Sequence, residues 1–213
     1  MIRGKKTPKT LWPPIDLGAL WVSNPAMRIS GGGARGVTLL VPKVNVVRPA
    51  TDGLRQAVFS CLAAHVPGTR FADLFAGTGA YGLEALSRGA AGGEWVEQNA
   101  RATACLGKNI TAVCKSLGRD EHDLVVHTMD ALAWQPGPGG LPDLVFIDPP
   151  YELSETVAPR LFERLTAALA AKTDPLVVFE VPGEITLNPP GWECVKRLGK
   201  GARAPTAMIF RRV

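Results

Sequence analysis

From residue 71 onward, short apolar runs alternate with stretches whose apolar residues recur every three or four positions, the pattern of strands and amphipathic helices laid down in turn. The apolar runs predict strands near 71–75, 93–97, 124–128, 144–148 and 176–181, and the periodic stretches predict helices near 80–88, 99–117 and 154–171. Gly118 is a natural stop for the second of these helices, because glycine accepts the left-handed conformation at a helix C-terminus. Strands separated by helices return on the same side of the sheet and run parallel. Two later runs, 192–198 and 206–212, have no helix between them and are expected to close the sheet as an antiparallel pair. Upstream, Leu54, Ala57, Val58, Cys61 and Leu62 keep the 3.6-residue period behind Thr51 or Asp52, either of which can cap a helix.

The first quarter of the chain reads differently. Residues 28–48 fit a short β-hairpin whose turns fall at Gly31, Gly32, Gly33 and Gly36. Residues 1–26 follow neither period, and Lys5, Lys6 and Lys9 precede Pro13-Pro14, so this stretch is expected to be a loose basic extension. The expected organisation is therefore an extension over 1–26 and one domain over 27–213, with the hairpin in 27–50 and an α/β core in 51–213. Met27 is an alternative start that would make residues 1–26 a gene-calling artefact. A peptide from residues 11–26 in the native protein would exclude that start.

Composition narrows the class. At 213 residues, 46% apolar and 20% charged, the chain can bury the core of one α/β domain. No run approaches the ~18 uninterrupted apolar residues of a membrane span, and the amino end lacks the apolar block of a signal peptide, so a cytoplasmic protein is expected. The cysteines at 61, 105, 114 and 194 form no Cys-x-x-Cys pair and are expected to be buried free thiols. The histidines at 65, 122 and 127 show no ligand spacing, and no metal chemistry is expected.

Charge adds a partner. Residues 1–48 hold eight Lys or Arg against Asp16 alone, and residues 196–213 hold six and no acid, so basic ends of +7 and +6 flank a middle of −8. Basic ends attract phosphates, and an acidic middle suits a cationic small molecule. Solvated surface faces are the competing reading for either end.

The candidate chemistry sits at the ends of the predicted strands. Asp148-Pro149-Pro150-Tyr151 follows the apolar run Leu144 to Ile147. The lone pair of a nucleobase or amide amine is delocalised, and acceptors on its N–H groups localise that pair on nitrogen. Asp148 offers a carboxylate, Pro149 a carbonyl, and consecutive prolines hold that backbone rigid. Acceptors set in place beforehand act where positive charge develops. Tyr151 would stack on a flat ring, a contact that contributes about 1–3 kcal/mol. The segment thus points to methylation of an exocyclic amino nitrogen, with an ordinary proline turn as the competing reading.

Gly77-Thr78-Gly79-Ala80-Tyr81-Gly82 follows another apolar strand and opens a helix, with Phe75 just before it. Such a loop lets backbone approach a ligand, but by itself fits a nicotinamide cofactor as well. Asp73, at the strand end, would meet a methionyl ammonium and repel a pyrophosphate. Glu97, 18 residues after Gly79, stands where a ribose diol needs an acceptor, although a solvated strand end reads the same way. Asp130 suits an adenine amino group or, equally, a helix cap. These four acids at the ends of four strands argue jointly for one site.

Taken in order, the glycine loop, the two acids and Asp148-Pro149-Pro150-Tyr151 resemble S-adenosylmethionine-dependent amino methyltransferases. The segments Met27 to Gly36, Arg48-Pro-Ala-Thr-Asp52 with Arg55, and Asp73 to Ala90 are more narrowly similar to the bacterial 16S rRNA guanine-N2 methyltransferases, the RsmD family, over residues 27–213. The resemblance implies a Rossmann-like fold with a mostly parallel seven-stranded sheet, an antiparallel last strand and an N-terminal β-hairpin. It also implies S-adenosyl-L-methionine as cofactor, held by Asp73, Phe75, Gly77, Thr78, Gly79, Glu97 and Asp130. Catalysis would rest on Asp148, Pro149, Pro150 and Tyr151, in direct transfer to the 2-amino group of a guanine of the guanine-966 type. Arg35, Arg48 and Arg55 would meet RNA phosphates, the partner being 16S rRNA in the small ribosomal subunit and the protein a monomer. Gly53 and Val37 stand where basic residues are usual in the family and Ala50 where a hydroxyl is usual, which removes or relocates RNA contacts. The segment Leu198 to Pro205 is less regular than the family's hairpin there.

Three other readings stay open. A DNA adenine-N6 methyltransferase would share Asp148 to Tyr151 but needs a target-recognition region. A protein glutamine methyltransferase usually carries Asn at position 148. A nicotinamide-dependent oxidoreductase shares the glycine loop but gives no use for Asp148 to Tyr151, and cofactor binding separates it. A non-enzymatic RNA-binding module would have no need of four acids at strand ends.

Overall fold

The computed structural model describes residues 21–42, 51–199, 201 and 204–213. The described elements are β1 (Trp21–Arg28), β2 (Thr38–Pro42), α1 (Thr51–Cys61), β3 (Arg70–Leu74), α2 (Ala80–Ser87), β4 (Gly92–Glu97), α3 (Ala100–Leu117), β5 (Leu124–Thr128), β6 (Leu144–Ile147), α4 (Ser154–Ala168), β7 (Leu176–Pro182), β8 (Trp192–Leu198) and β9 (Pro205–Arg212). Short 3₁₀ turns follow β5 and β6, at Ala131–Ala133 and Tyr151–Leu153.

Seven strands form one sheet in the order β5-β4-β3-β6-β7-β9-β8. The β5-β4-β3-β6-β7 block is parallel, and β9 runs antiparallel between β7 and β8. This is the Rossmann-like arrangement expected for the chain. The chain fills the sheet outward from β3 to β5, then jumps back to β6 on the other side of β3. That reversal opens a crevice between β3 and β6 at the carboxyl ends of the strands.

Side-chain alternation along the strands divides the core into two layers. Phe71, Trp95, Leu144, Phe146, Leu176, Val178 and Ile209 face α1, α2, α3 and the β1–β2 hairpin. Ala72, Val96, Val145, Ile147, Val177, Phe179 and Phe210 face α4, whose Val157, Ala158, Leu161, Phe162 and Leu165 recur at helical spacing. Local signals set the ends of α3: the Asn99 side chain accepts from the N–H groups of Arg101 and Ala102, and Gly118 closes the helix at φ 65°.

The hairpin lies earlier in the chain than its sequence suggests. β1 begins at Trp21, so residues 21–26, read as part of a loose extension, belong to a paired strand. Residues 1–20 lie outside the described residues. The connection between β1 and β2, residues 29–37, docks on the C-terminal turn of α2. Gly33 N donates to the Ser87 carbonyl, Ala34 N donates to Ser87 Oγ, and Ser87 Oγ donates to the Gly31 carbonyl. A Cβ on Gly32 would overlap the Ser87 carbonyl. These glycines therefore permit backbone contact with a helix, beyond making a turn. Two of the four cysteines also depart from expectation. Cys105 and Cys114 are buried, whereas Cys61 at the end of α1 and Cys194 on the edge strand β8 are exposed.

Candidate functional site

A cavity of about 360 Å³ opens at the carboxyl ends of β3, β4, β6 and β7, and it is lined on its polar side by Glu97, Asp148, Glu180, Arg55, Tyr81 and Tyr151. The register of the sheet explains the grouping. Ile147 pairs with Phe179, so Asp148 lies level with Glu180 on the neighbouring strand, about 4.8 Å away in strand spacing. Asp73 pairs with Phe146, one side-chain step lower on the same face.

The β3–α2 loop forms one wall. Phe75 adopts φ 60°, a sparsely populated conformation for a side chain of that size, and lines the cavity with Ala76, Gly77 and Thr78. The carboxylate of Glu97 fixes this wall: Oε2 accepts from Gly77 N at 2.9 Å and Oε1 from Asn99 N at 2.7 Å. A carboxylate offers about four acceptor positions, so Glu97 keeps capacity for a ligand's hydroxyls. Gly79 lies behind the loop rather than on the cavity. It enters α2 at φ 83°, where a Cβ would strike Leu106.

Asp73 departs from its expected place. It is 2% exposed, its Oδ2 accepts from Gly82 N at 2.9 Å, and it is not part of the cavity lining. Burial, with Asp148 and Glu97 close by, pushes its carboxyl well above the usual carboxylate range, while the Gly82 N–H opposes that rise. The residue clamps the start of α2 beneath the loop. Asp130 likewise caps: its Oδ1 accepts from Leu132 N at the exposed end of β5, away from the cavity lining.

Asp148 and Pro149 line the opposite wall, with Pro150 and Tyr151 at the rim. Behind them sits a group that the sequence reading missed. Glu180, 2% exposed, accepts from the Tyr81 hydroxyl at Oε2 over 2.9 Å, and the Tyr151 hydroxyl stands 3.5 Å from Oε1. The Tyr81 ring is stacked on Phe146 at 5.2 Å, which aims its hydroxyl at β7. Burial first and the Asp148 charge second push the Glu180 carboxyl up to about 8. Burial and the Glu180 charge push the Tyr81 phenol up in turn. The signal available in sequence was the lone acid inside the apolar strand Leu176 to Val181, where an unpaired charge is rarely tolerated.

The three arginines expected at RNA phosphates separate. Arg35 is exposed on the β1–β2 connection. Arg48 lies outside the described residues. Arg55 is 2% exposed and its guanidinium is directed inward, donating to Asp52 at 2.7 Å and to the Arg28 carbonyl at 2.9 Å and standing 3.7 Å from Glu84. It stands as a counter-ion to the buried Glu84 carboxylate while lining the cavity, rather than on the outer surface. Among the described residues, Asp120, His122 and Asp123 come within metal-ligand range of one another, on the surface. His122 is already hydrogen-bonded to Asp120, and Arg119 pairs with Asp123.

The profile of the family described as Conserved hypothetical protein 95 matches residues 27–208. "Ribosomal RNA small subunit methyltransferase D" of Escherichia coli strain K12 is 37% identical over 134 residues, which are 62% of this chain and 65% of that relative, so the match spans less than two thirds of its length. A solved structure of a putative methyltransferase from Escherichia coli superposes with a TM-score of 0.70 at 28% identity, covering 87% of this chain and 97% of the other. A putative SAM-dependent methyltransferase from Streptococcus mutans shares the fold at 12% identity, with a TM-score of 0.61 over 83% of this chain and 53% of that one.

Proposed function

This chain belongs to the Conserved hypothetical protein 95 family, the RsmD family, and we propose that it transfers a methyl group from S-adenosylmethionine to the 2-amino group of a guanine in 16S rRNA, of the guanine-966 type. One observation carries the proposal. Asp148 and Pro149 share a single cavity with the loop anchored by Glu97, so an amine-activating pair and a cofactor cradle open on the same space. The relatives' names, which include ribosomal RNA of the small subunit, supply the substrate class.

The residues present suit this cofactor. Glu97 retains acceptor capacity for ribose hydroxyls beside backbone of the β3–α2 loop, and the carboxylates of Glu97 and Asp148 in the lining favour a cation. The cofactor supplies an electrophilic methyl on positively charged sulfur. The protein's own work is orientation of the two reactants and placement of acceptors where charge develops. Asp148 and the Pro149 carbonyl accept from the amino N–H groups of the base, drawing the nitrogen lone pair out of the ring system. Tyr151 stacks on the base and holds its plane. Once the nitrogen is alkylated, its surplus proton leaves to Asp148 or to solvent.

The test is transfer of labelled methyl from S-adenosylmethionine to undermethylated small subunits, naked 16S RNA and DNA, followed by digestion to nucleosides. N2-methylguanosine from either RNA substrate is the expected product. N6-methyladenine in DNA, or cofactor binding without transfer, would overturn the proposal.

A further inference from the structure

Glu180 has no part in activating the amino group, yet it is the most deeply buried carboxyl lining the cavity. It stands level with Asp148 on the adjacent strand, and both side chains lie on the sheet face that opens into the cavity. Its two oxygens are not equivalent. Oε2 receives the Tyr81 hydroxyl at 2.9 Å, a bond fixed by the stacking of Tyr81 on Phe146. Oε1 has the longer 3.5 Å contact with Tyr151, at the outer limit of a hydrogen bond.

We propose that Glu180 reads the target base as a neutral carboxylic acid, with Oε2 kept as the acceptor for Tyr81 and Oε1–H donating to the 6-carbonyl oxygen of guanine while Asp148 accepts from the 2-amino group. The assignment rests on the guanine-N2 reading above and adds to it the residue that selects guanine. The base presents a carbonyl acceptor and an amino donor at opposite ends of its Watson–Crick edge. A donor and an acceptor carried on neighbouring strands match that edge in polarity. Adenine and 2,6-diaminopurine place an amino donor at position 6 and would face the Glu180 hydroxyl donor to donor. Such a mismatch leaves buried polar groups unpaired, which is the strongest form of discrimination a site can apply.

Burial first, and the charge of Asp148 second, favour the neutral form of Glu180. Asp148 on the β6 end faces it with like charge, whereas the hydroxyls of Tyr81 from α2 and Tyr151 from the following 3₁₀ turn donate to the carboxyl and oppose the shift without cancelling it. Arg55 from α1 opposes the shift less than either hydroxyl, its guanidinium being engaged with Asp52 and the Arg28 carbonyl. The directly paired residue on β9 is Ala207, which carries no charge. The carboxyl therefore titrates at about 8.

The experiment measures kcat/KM against pH for wild type, Glu180→Ala and Glu180→Gln, on small subunits carrying guanine or 2,6-diaminopurine at the target position, with cofactor affinity determined separately by calorimetry. Wild type is expected to prefer guanine by about tenfold to a hundredfold and to lose that rate as pH rises through about 8. Glu180→Ala is expected to lose a similar factor on guanine and to compress the preference to within about threefold, with cofactor affinity held within about twofold. Glu180→Gln, whose amide reproduces the donor and acceptor of the neutral acid, is expected to restore most of the guanine rate and to abolish the alkaline fall. A Glu180→Gln variant as inactive as Glu180→Ala, or one that keeps the alkaline fall, overturns the assignment, as does an undiminished base preference in Glu180→Ala. If Glu180→Ala does not fold, the two Glu180→Gln outcomes decide alone. A wild-type product other than N2-methylguanosine overturns the functional reading and this inference with it, whereas N2-methylguanosine from wild type beside any of the failures above overturns the inference only.

Discussion

Asp148 and Glu180 are neighbours in the site and differ entirely in how far the chain announces them. Asp148 was legible because its partners are its own neighbours in sequence: the strand before it and the prolines after it set its position. Glu180 depends on Tyr81, 99 residues away, and on a register that only the assembled sheet provides. Two predictions belong at this scale. Asp148→Ala should lower methyl transfer by about 10³-fold while cofactor affinity stays within a few fold, measured by labelled transfer and by calorimetry. Retained turnover would remove Asp148 from the reaction. The second concerns stability. Glu180 rises from 4.5 to about 8 on folding, and a raised folded value means that the neutral form is the one the native state favours. Its contribution is whole below about pH 4.5 and is lost as pH climbs through about 8. Glu180→Gln should therefore raise the melting temperature at pH 9 by several degrees, of order 5 °C, and much less at pH 5. An equal change at both pH values would show that ionisation of Glu180 does not govern stability.

At the level of elements, helices and parallel strands followed from period and local stop signals. α3 begins and ends where Asn99 and Gly118 cap it, because caps act within one turn. The hairpin was shifted in the reading because its glycines serve a distant partner, the end of α2, and turn chemistry cannot reveal that. Gly32→Ala tests the point. With φ at +78° and the Ser87 carbonyl in the way, the substitution should destabilise by about 2 kcal/mol or more and free the connection from α2, seen as faster amide exchange at Gly33 and Ala34. Arg55 illustrates the same limit. A basic residue early in a helix reads as a surface contact, but α1 turns it toward Glu84, which is fully buried. Arg55→Ala should cost about 3–5 kcal/mol in urea unfolding, because it leaves buried carboxylates short of a counter-charge. A loss under 1 kcal/mol would instead mark the residue as free for phosphate.

For the molecule as a whole, basic ends and an acidic middle suit a site that combines a cationic cofactor with a polyanionic substrate. With Arg55 internal, exposed Arg35 is the described member of the predicted phosphate set. Arg35→Ala should reduce the slope of log affinity against log salt for RNA binding by about 1, and an unaltered slope would exclude a phosphate contact. The sequence alone determined the α/β alternation, the glycine loop and the Asp148 to Tyr151 segment, because each is encoded by residues close together in the chain, whereas Glu97 reaches the loop through the pairing of β3 with β4. Only the tertiary structure decided which acids face the cavity. Asp73 and Asp130 spend their carboxyls on nearby backbone N–H groups, while Glu180 enters from a neighbouring strand. The direction of a strand-end side chain is set by sheet register and by helices packed across it, and those are long-range facts that no local pattern carries.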